Sequence, residues 1–214
     1  VTRRRLVATI SIVGALVLAS SACGSSSKQS SSSVATTAHA TLGTPPPITA
    51  DPAENIVTLR TSEGTIVIRL DFDNAPKAAG NFATLVKKGF YDGLTFNRAA
   101  KDFVIQGGDP KGDGSGGPGY SVPGETPKYG YKLGSVAMAK TSVDPPGTSG
   151  SQFFIVTGRG GTELPPDSAI VGQVTRGLEV AKKIESYAPT DPPYDGKPTK
   201  KVTIAKVTLS APNA

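Results

Sequence analysis

The chain is poor in the side chains that carry most enzyme chemistry. It has one cysteine, one histidine, one methionine and no tryptophan in 214 residues, and the single thiol and imidazole, Cys23 and His39, both lie near the N-terminus. The remainder therefore contains no disulfide. It cannot assemble a Cys/His zinc site, a Cys-His pair or a Ser-His-Asp triad. Charge of one sign is also scarce. The net charge is +6, and removal of Arg3, Arg4 and Arg5, which precede Cys23 without any acid beside them, brings it to +3. Nothing in that balance calls for a nucleic-acid partner. Hydrophobic residues amount to only 37%, because the first 50 residues are dominated by Ser, Thr, Ala, Gly and Pro. What is left is about 160 residues, enough for one domain with a sizeable core.

What is present at the N-terminus is an address. The three arginines are followed by an apolar run from Leu6 to Ala19 and then by Ser20-Ser21-Ala22-Cys23. A basic start, an apolar stretch too short for an ordinary span and small residues at the end form an export signal over residues 1–22. The position of the sole cysteine resembles that of a bacterial lipoprotein, in which cleavage leaves Cys23 at the new N-terminus for acylation. Ser20 stands where such signals usually carry Leu, so plain cleavage near Ala22, giving a secreted protein, stays open beside it. Residues 23–53 form a Ser/Thr/Pro-rich linker with no periodicity, which predicts disorder. A flexible chain of about 30 residues spans roughly 30 Å and would hold the domain off the membrane.

The domain assigned to residues 54–214 opens with two alternating runs, Asn55 to Thr61 and Thr65 to Asp71, around Ser62-Glu63-Gly64, a hairpin pattern. Asn74-Ala75-Pro76 starts a helix whose apolar face is Ala79, Phe82, Leu85 and Val86 and which Gly89 stops. Asp71 and Asp73 stand close to its start and are assigned to the helix dipole rather than to acid-base chemistry. Further apolar segments cover Ser135 to Ala139, Phe153 to Thr157, Ile170 to Val174 and Val202 to Leu209, with a second helical pattern on Leu178, Ala181 and Ile184. Many short strands, two helices and no βαβ alternation predict a mainly β fold, a closed antiparallel barrel plugged by helices. The lysine pairs Lys87-Lys88, Lys182-Lys183 and Lys200-Lys201 are assigned to solvated faces.

Chemistry concentrates between Phe96 and Pro110. There Phe96, Phe103 and Ile105 alternate with Arg98, Asp102 and Gln106, so two short strands set one cation and one amide beside an aromatic wall, unless both simply face water. The following Gly107-Gly108-Asp109-Pro110 lacks the Gly-Lys-Ser/Thr ending and the helix of a phosphate loop. A calcium loop starting at Asp109 fails at Lys111 and Tyr120, where oxygen ligands are needed. The loop is read as a shaped rim.

Five blocks, Phe96-Asn97-Arg98, Asp102 to Pro110, Gly116 to Tyr120, Ser135 to Ala139 and Gly150 to Phe154, together resemble the cyclophilin-type peptidyl-prolyl cis/trans isomerases in order and spacing. The resemblance covers about Asn55 to Leu209. It implies a closed eight-stranded antiparallel barrel capped by two α-helices and a cofactor-independent, metal-free isomerase acting on X-Pro bonds, expected to be a monomer. By position it implies that Arg98, Phe103, Gln106 and Phe154 are catalytic. It further implies that Val104, Ala139, Lys140, Gln152, Leu164 and Ser168 bind substrate, Lys140 through its backbone. Its partners would be proline-containing peptides and unfolded exported proteins. The chain departs from the family pattern at Asn97 and Val104, where the family usually has His and Met, and at Ser168, which replaces the pocket His. No aromatic residue lies near Glu163. These departures bear on cyclosporin-type binding more than on catalysis. The same groove would also suit a membrane-tethered proline-peptide binding module or chaperone with little or no turnover.

Overall fold

The computed structural model describes residues 43–212. The export signal, Cys23 and the first part of the linker lie outside the described residues. From the linker, Gly43 N–H donates to Gly119 O at 2.7 Å and Ala50 packs against the core, so residues 43–53 run along the domain without regular secondary structure.

The elements are β1 (Ile56–Thr61), β2 (Gly64–Leu70), α1 (Pro76–Lys87), β3 (Thr95–Ala100), β4 (Val104–Gly107), β5 (Val122–Pro123), β6 (Ser135–Met138), β7 (Thr148–Ser149), β8 (Phe153–Val156), a single turn α2 (Arg159–Thr162), β9 (Ile170–Arg176), α3 (Leu178–Glu185), β10 (Asp195–Gly196) and β11 (Val202–Ser210). The expected hairpin forms between β1 and β2, where Leu59 faces Ile66 and Val57 faces Ile68. Eight strands run in the order β3-β11-β1-β2-β9-β6-β8-β4, every pair antiparallel, and β4 returns to β3. The expected closed eight-stranded barrel is thus observed, and closure leaves the barrel without a free edge. Two short additions escaped the sequence pattern. Strand β10 lies outside the barrel on β3, and β5 pairs with β7 across the Gly/Pro loops.

Helix α1 packs on β9 and β11, and α3 packs on β2, β3 and β4. Capping of α1 differs from expectation: Ala75 is the cap residue and no local side chain bonds the first turn. Asn74 instead donates to Asp71 through its backbone N–H at 3.1 Å and its side-chain amide at 2.9 Å. The free N–H groups of Lys77 and Ala78 are met by the Glu125 carboxylate at 2.9 and 3.2 Å, from 48 residues further along the chain. A carboxylate here does what a local cap does, satisfying orphan donors and opposing the positive end of the dipole. Gly89 ends the helix as expected, with φ of +68° and its N–H on Val86 O.

Alternation along the strands splits the apolar residues between two faces. Inside the barrel, Phe153 is fully buried and meets Phe82, Tyr91 and Phe96 edge-on at 5.4, 5.7 and 6.1 Å between ring centroids. Outside it, Val104, Tyr131, Ala137, Phe154, Val156 and Ile170 form a second, smaller cluster. Five of the site residues named from the sequence, Phe103, Val104, Ala139, Phe154 and Leu164, belong to or pack against that outer cluster.

Three lysines assigned to solvated faces are tied down. The Glu63 carboxylate, in the β1–β2 turn, pairs with Lys183 on α3 at 3.0 Å and with Lys200, and accepts from Tyr187 Oη at 2.7 Å. Lys87 likewise pairs with Glu54. The hydrogen bonds from Lys200, Tyr187 and Lys183 hold the Glu63 carboxyl at about 2 instead of 4.5. Because the folded value is depressed, this anchor stabilises the fold above about pH 4.5 and is lost as pH falls towards 2. Glu63→Gln is accordingly expected to lower Tm at pH 7, with the gap to wild type closing by pH 2 in a thermal-melt series. An unchanged gap across that window would remove Glu63 ionisation from the acid response.

Candidate active site

The row of side chains that forms the site follows from strand register. Arg98 on β3 lies opposite Gln106 on β4, Gln106 lies opposite Phe154 on β8, and Phe154 lies opposite Ala137 on β6. Residues directly opposite share a face, so the cation, the amide and the aromatic ring stand side by side on the outer surface. Ile105, next to Gln106, points into the core, and so does Phe96, two residues before Arg98, because a register shift between Phe96 and Arg98 breaks the alternation. This resolves the alternation between Phe96 and Pro110.

Above the row opens a pocket of about 320 Å³, lined by Arg98, Phe103, Val104, Gln106, Tyr131, Ala139, Lys140, Phe154, Leu164, Pro165, Asp167 and Ser168. Of the ten site residues named from the sequence, nine line it. The tenth, Gln152, lines the adjoining groove with Gln106, Ala139 and Lys140. The floor is apolar, with Val104 and Phe154 almost fully buried. Phe103 is set by the β3–β4 turn, which seats on the loop before α2. Gly158 is required there, since a Cβ would fall 2.1 Å from the Asp102 carbonyl carbon.

The polar side of the pocket is a continuous chain of hydrogen bonds. The Arg98 guanidinium donates from Nε to Asp195 Oδ1 and from Nη2 to Oδ2, both at 2.7 Å, and from Nη1 to Gln106 Oε1 at 3.2 Å. It also lies 5.7 Å from the Phe103 ring centroid. Gln106 Nε2 donates to Gln152 Oε1 at 2.8 Å, and Gln152 Nε2 donates to the carbonyls of Gly114 and Gly116, both at 2.8 Å. Hydrogen bonding to Asp195 raises the Arg98 pKa above its ordinary value, so the group is a permanent donor. The loop from Gly107 is a shaped rim, as expected. It is organised by the buried Asp109 carboxylate, which accepts from the N–H groups of Lys111 and Gly114.

Three contributors were not evident from the sequence. Asp195 comes from β10, in a proline-rich stretch without periodicity. Tyr131 comes from a loop; its ring packs on Phe154 at 5.8 Å, and its hydroxyl donates to Ser168 O at 3.0 Å and accepts from Ser168 N–H at 2.9 Å. It supplies an aromatic wall that the segment around Glu163 lacks, and its hydroxyl bonds the backbone of the small Ser168. Burial raises its pKa, which keeps the hydroxyl a donor. Asp167 pairs with the nearly buried Lys140 ammonium at 2.6 Å, and Lys140 Nζ also donates to Thr141 O and Asp144 O. The lysine side chain is thereby a strut between two rims. Asn97 does not line the pocket, and its Oδ1 is buried without a hydrogen-bond partner among the described residues.

Residues 56–209 match the family model for cyclophilin type peptidyl-prolyl cis-trans isomerase/CLD. A peptidyl-prolyl cis-trans isomerase of Helicobacter pylori is 40% identical over 136 residues, which cover 60% of this chain and 78% of that protein. One from Dictyostelium discoideum is 38% identical over 162 residues, 73% of this chain and 99% of that protein. Among solved structures, a cyclophilin type isomerase of Cryptosporidium parvum, crystallised in the presence of the dipeptide Ala-Pro, superposes with a TM-score of 0.64 at 32% identity over 73% of this chain and 99% of that one. With this barrel, this pocket and these matches, the chain belongs to the cyclophilin-type peptidyl-prolyl cis-trans isomerases, enzymes that work without a cofactor.

Proposed function

We propose that this protein catalyses cis/trans isomerisation of X-Pro bonds in exported proteins, using Arg98 as a hydrogen-bond donor over an apolar proline pocket. The observation that carries this is the placement of one fixed guanidinium beside the Phe103, Val104, Phe154 and Leu164 surfaces. Rotation about the peptide bond faces a barrier of roughly 18–20 kcal/mol from its double-bond character, and at X-Pro both isomers are populated. Twisting the bond localises the lone pair on the prolyl nitrogen. A donor aimed at that nitrogen stabilises the twisted state and gains little in either planar one. The pocket grips the ring, Ala139, Lys140 and Gln152 hold the flanking backbone, and the acyl side swings. No nucleophile or metal takes part.

A purified-protein assay on an X-Pro peptide, with peptide binding measured in parallel, tests this. Acceleration is the expected result. Binding without acceleration would instead mark a binding module or chaperone. Export and tethering at the outer side of the cell membrane rest on the N-terminal pattern and on Cys23. Mass spectrometry of the mature N-terminus is expected to find an acylated Cys23; an unmodified N-terminus near Ala22 would make the protein a secreted one.

A further inference from the structure

Asp195 lies 97 residues from Arg98 in the chain, in a two-residue strand that pairs with the end of β3. Asp195 is opposite Ala100, and Arg98 is two residues further on, so the two side chains share one face as diagonal neighbours. We propose that Asp195 is a positioning residue for isomerisation, fixing the plane of the Arg98 guanidinium so that its unclaimed N–H groups face the proline pocket. This rests on the reading of Arg98 as the donor to the prolyl nitrogen.

The argument is one of counting and distance. A guanidinium has five N–H donors. Asp195 takes the Nε–H and one on Nη2 at 2.7 Å, and Gln106 takes one on Nη1 at 3.2 Å, which leaves one on each terminal nitrogen. The side-on carboxylate fork contributes two of the three bonds and both of the short ones. A two-point contact defines a plane, whereas the single bond from Gln106 and the face of Phe103 leave the group free to rock. Both partners are about one-third exposed, Arg98 at 35% and Asp195 at 33%, so the pair adds little to folding. Its effect falls on orientation, where small displacements of a catalytic group cost large factors in rate. Pairing also lowers the net charge of the donor, which suits an acceptor that is a neutral amide nitrogen and discourages capture of stray carboxylates.

The test compares the full-length wild type with Asp195→Ala, Asp195→Asn, Arg98→Ala and the double variant Arg98→Ala/Asp195→Ala. An X-Pro peptide is the substrate, kcat and KM are separated, and melting is followed in parallel. Asp195→Ala is expected to lower kcat roughly 10–50-fold with KM changed less than about threefold, and Asp195→Asn, with one acceptor oxygen, to fall between it and wild type. In the double variant, removal of Asp195 is expected to cost nothing beyond Arg98→Ala, since a positioning residue has nothing left to position. In ¹⁵N-labelled protein the Arg98 Nε–H resonance, protected in wild type, is expected to exchange rapidly in Asp195→Ala. Full kcat in Asp195→Ala, or losses that multiply in the double variant, would overturn the proposal. If Arg98→Ala is itself fully active, the donor role of Arg98 fails; if it is slow while Asp195→Ala is fast, only the positioning role fails.

Discussion

Arg98→Ala should lower kcat/KM by roughly 10²–10³ while shifting Tm by no more than a few degrees. Removing one preorganised donor from a site that stabilises developing charge costs about 2.7–4 kcal/mol, which sets the size of the loss. Stability is spared because the side chain is 35% exposed and its carboxylate partner keeps contact with water when released. Arg98→Lys separates charge from shape: an ammonium retains the charge but cannot engage both Asp195 oxygens and Gln106 at once. It is expected to recover less than a tenth of wild-type activity. NMR exchange spectroscopy or a protease-coupled assay measures both variants, and turnover within twofold of wild type in Arg98→Ala would remove this residue from the mechanism.

The donor also sets the direction of everything beyond it. Arg98 can only donate, so Gln106 must turn its Oε1 towards the guanidinium, its Nε2 towards Gln152 Oε1, and Gln152 its Nε2 towards Gly114 O and Gly116 O. One obligate donor thus orients two amides that are otherwise free to flip, and ties the Gly-rich rim to the pocket. Loss of Arg98 therefore removes both the bond we propose it makes to the prolyl nitrogen and the polarity of the groove.

Much of this architecture was legible from local patterns, because the barrel strands carry their own alternation. Val57, Leu59, Ile66 and Ile68 specify both the hairpin and its inward face. The pocket residues could be named as a set only through the family resemblance of the ordered blocks that hold Arg98, Gln106 and Phe154; alternation alone left Arg98 and Gln106 open to facing water. What escaped was created by distant segments meeting. Glu125 caps a helix 47 and 48 residues away, and neither its composition nor its neighbours signal that. Asp195 sits between prolines and acquires its meaning only when β10 lies on β3. Tyr131, in a polar loop, becomes a pocket wall through two bonds to the Ser168 backbone. Local periodicity reports which face a residue occupies, not which foreign side chain will arrive there.

Two adjacent phenylalanines separate fold from function. Phe153 and Phe154 occupy successive positions of β8 and so face opposite sides of the sheet. Phe153 is fully buried among Phe82, Tyr91 and Phe96, and its replacement by alanine leaves a closed cavity that three aromatic rings cannot fill by small shifts. The cost is about 3–5 kcal/mol, which lowers Tm by roughly 10 °C for a domain of this size. Activity per folded molecule should remain within a few-fold of wild type, because no pocket atom is removed. Phe154 is 7% exposed and lines the floor of the pocket beside Arg98, so Phe154→Ala opens into space already reached by solvent and costs less stability. It should instead cut kcat/KM by roughly 30–100-fold, since the ring must be held while the acyl side turns, and each lost apolar contact of that kind is worth about 1.5–3 kcal/mol. Thermal melts and turnover measured on the same preparations decide the matter. If Phe153→Ala lost activity at full stability, or Phe154→Ala lost stability at full activity, the two faces of β8 would have been assigned the wrong way round.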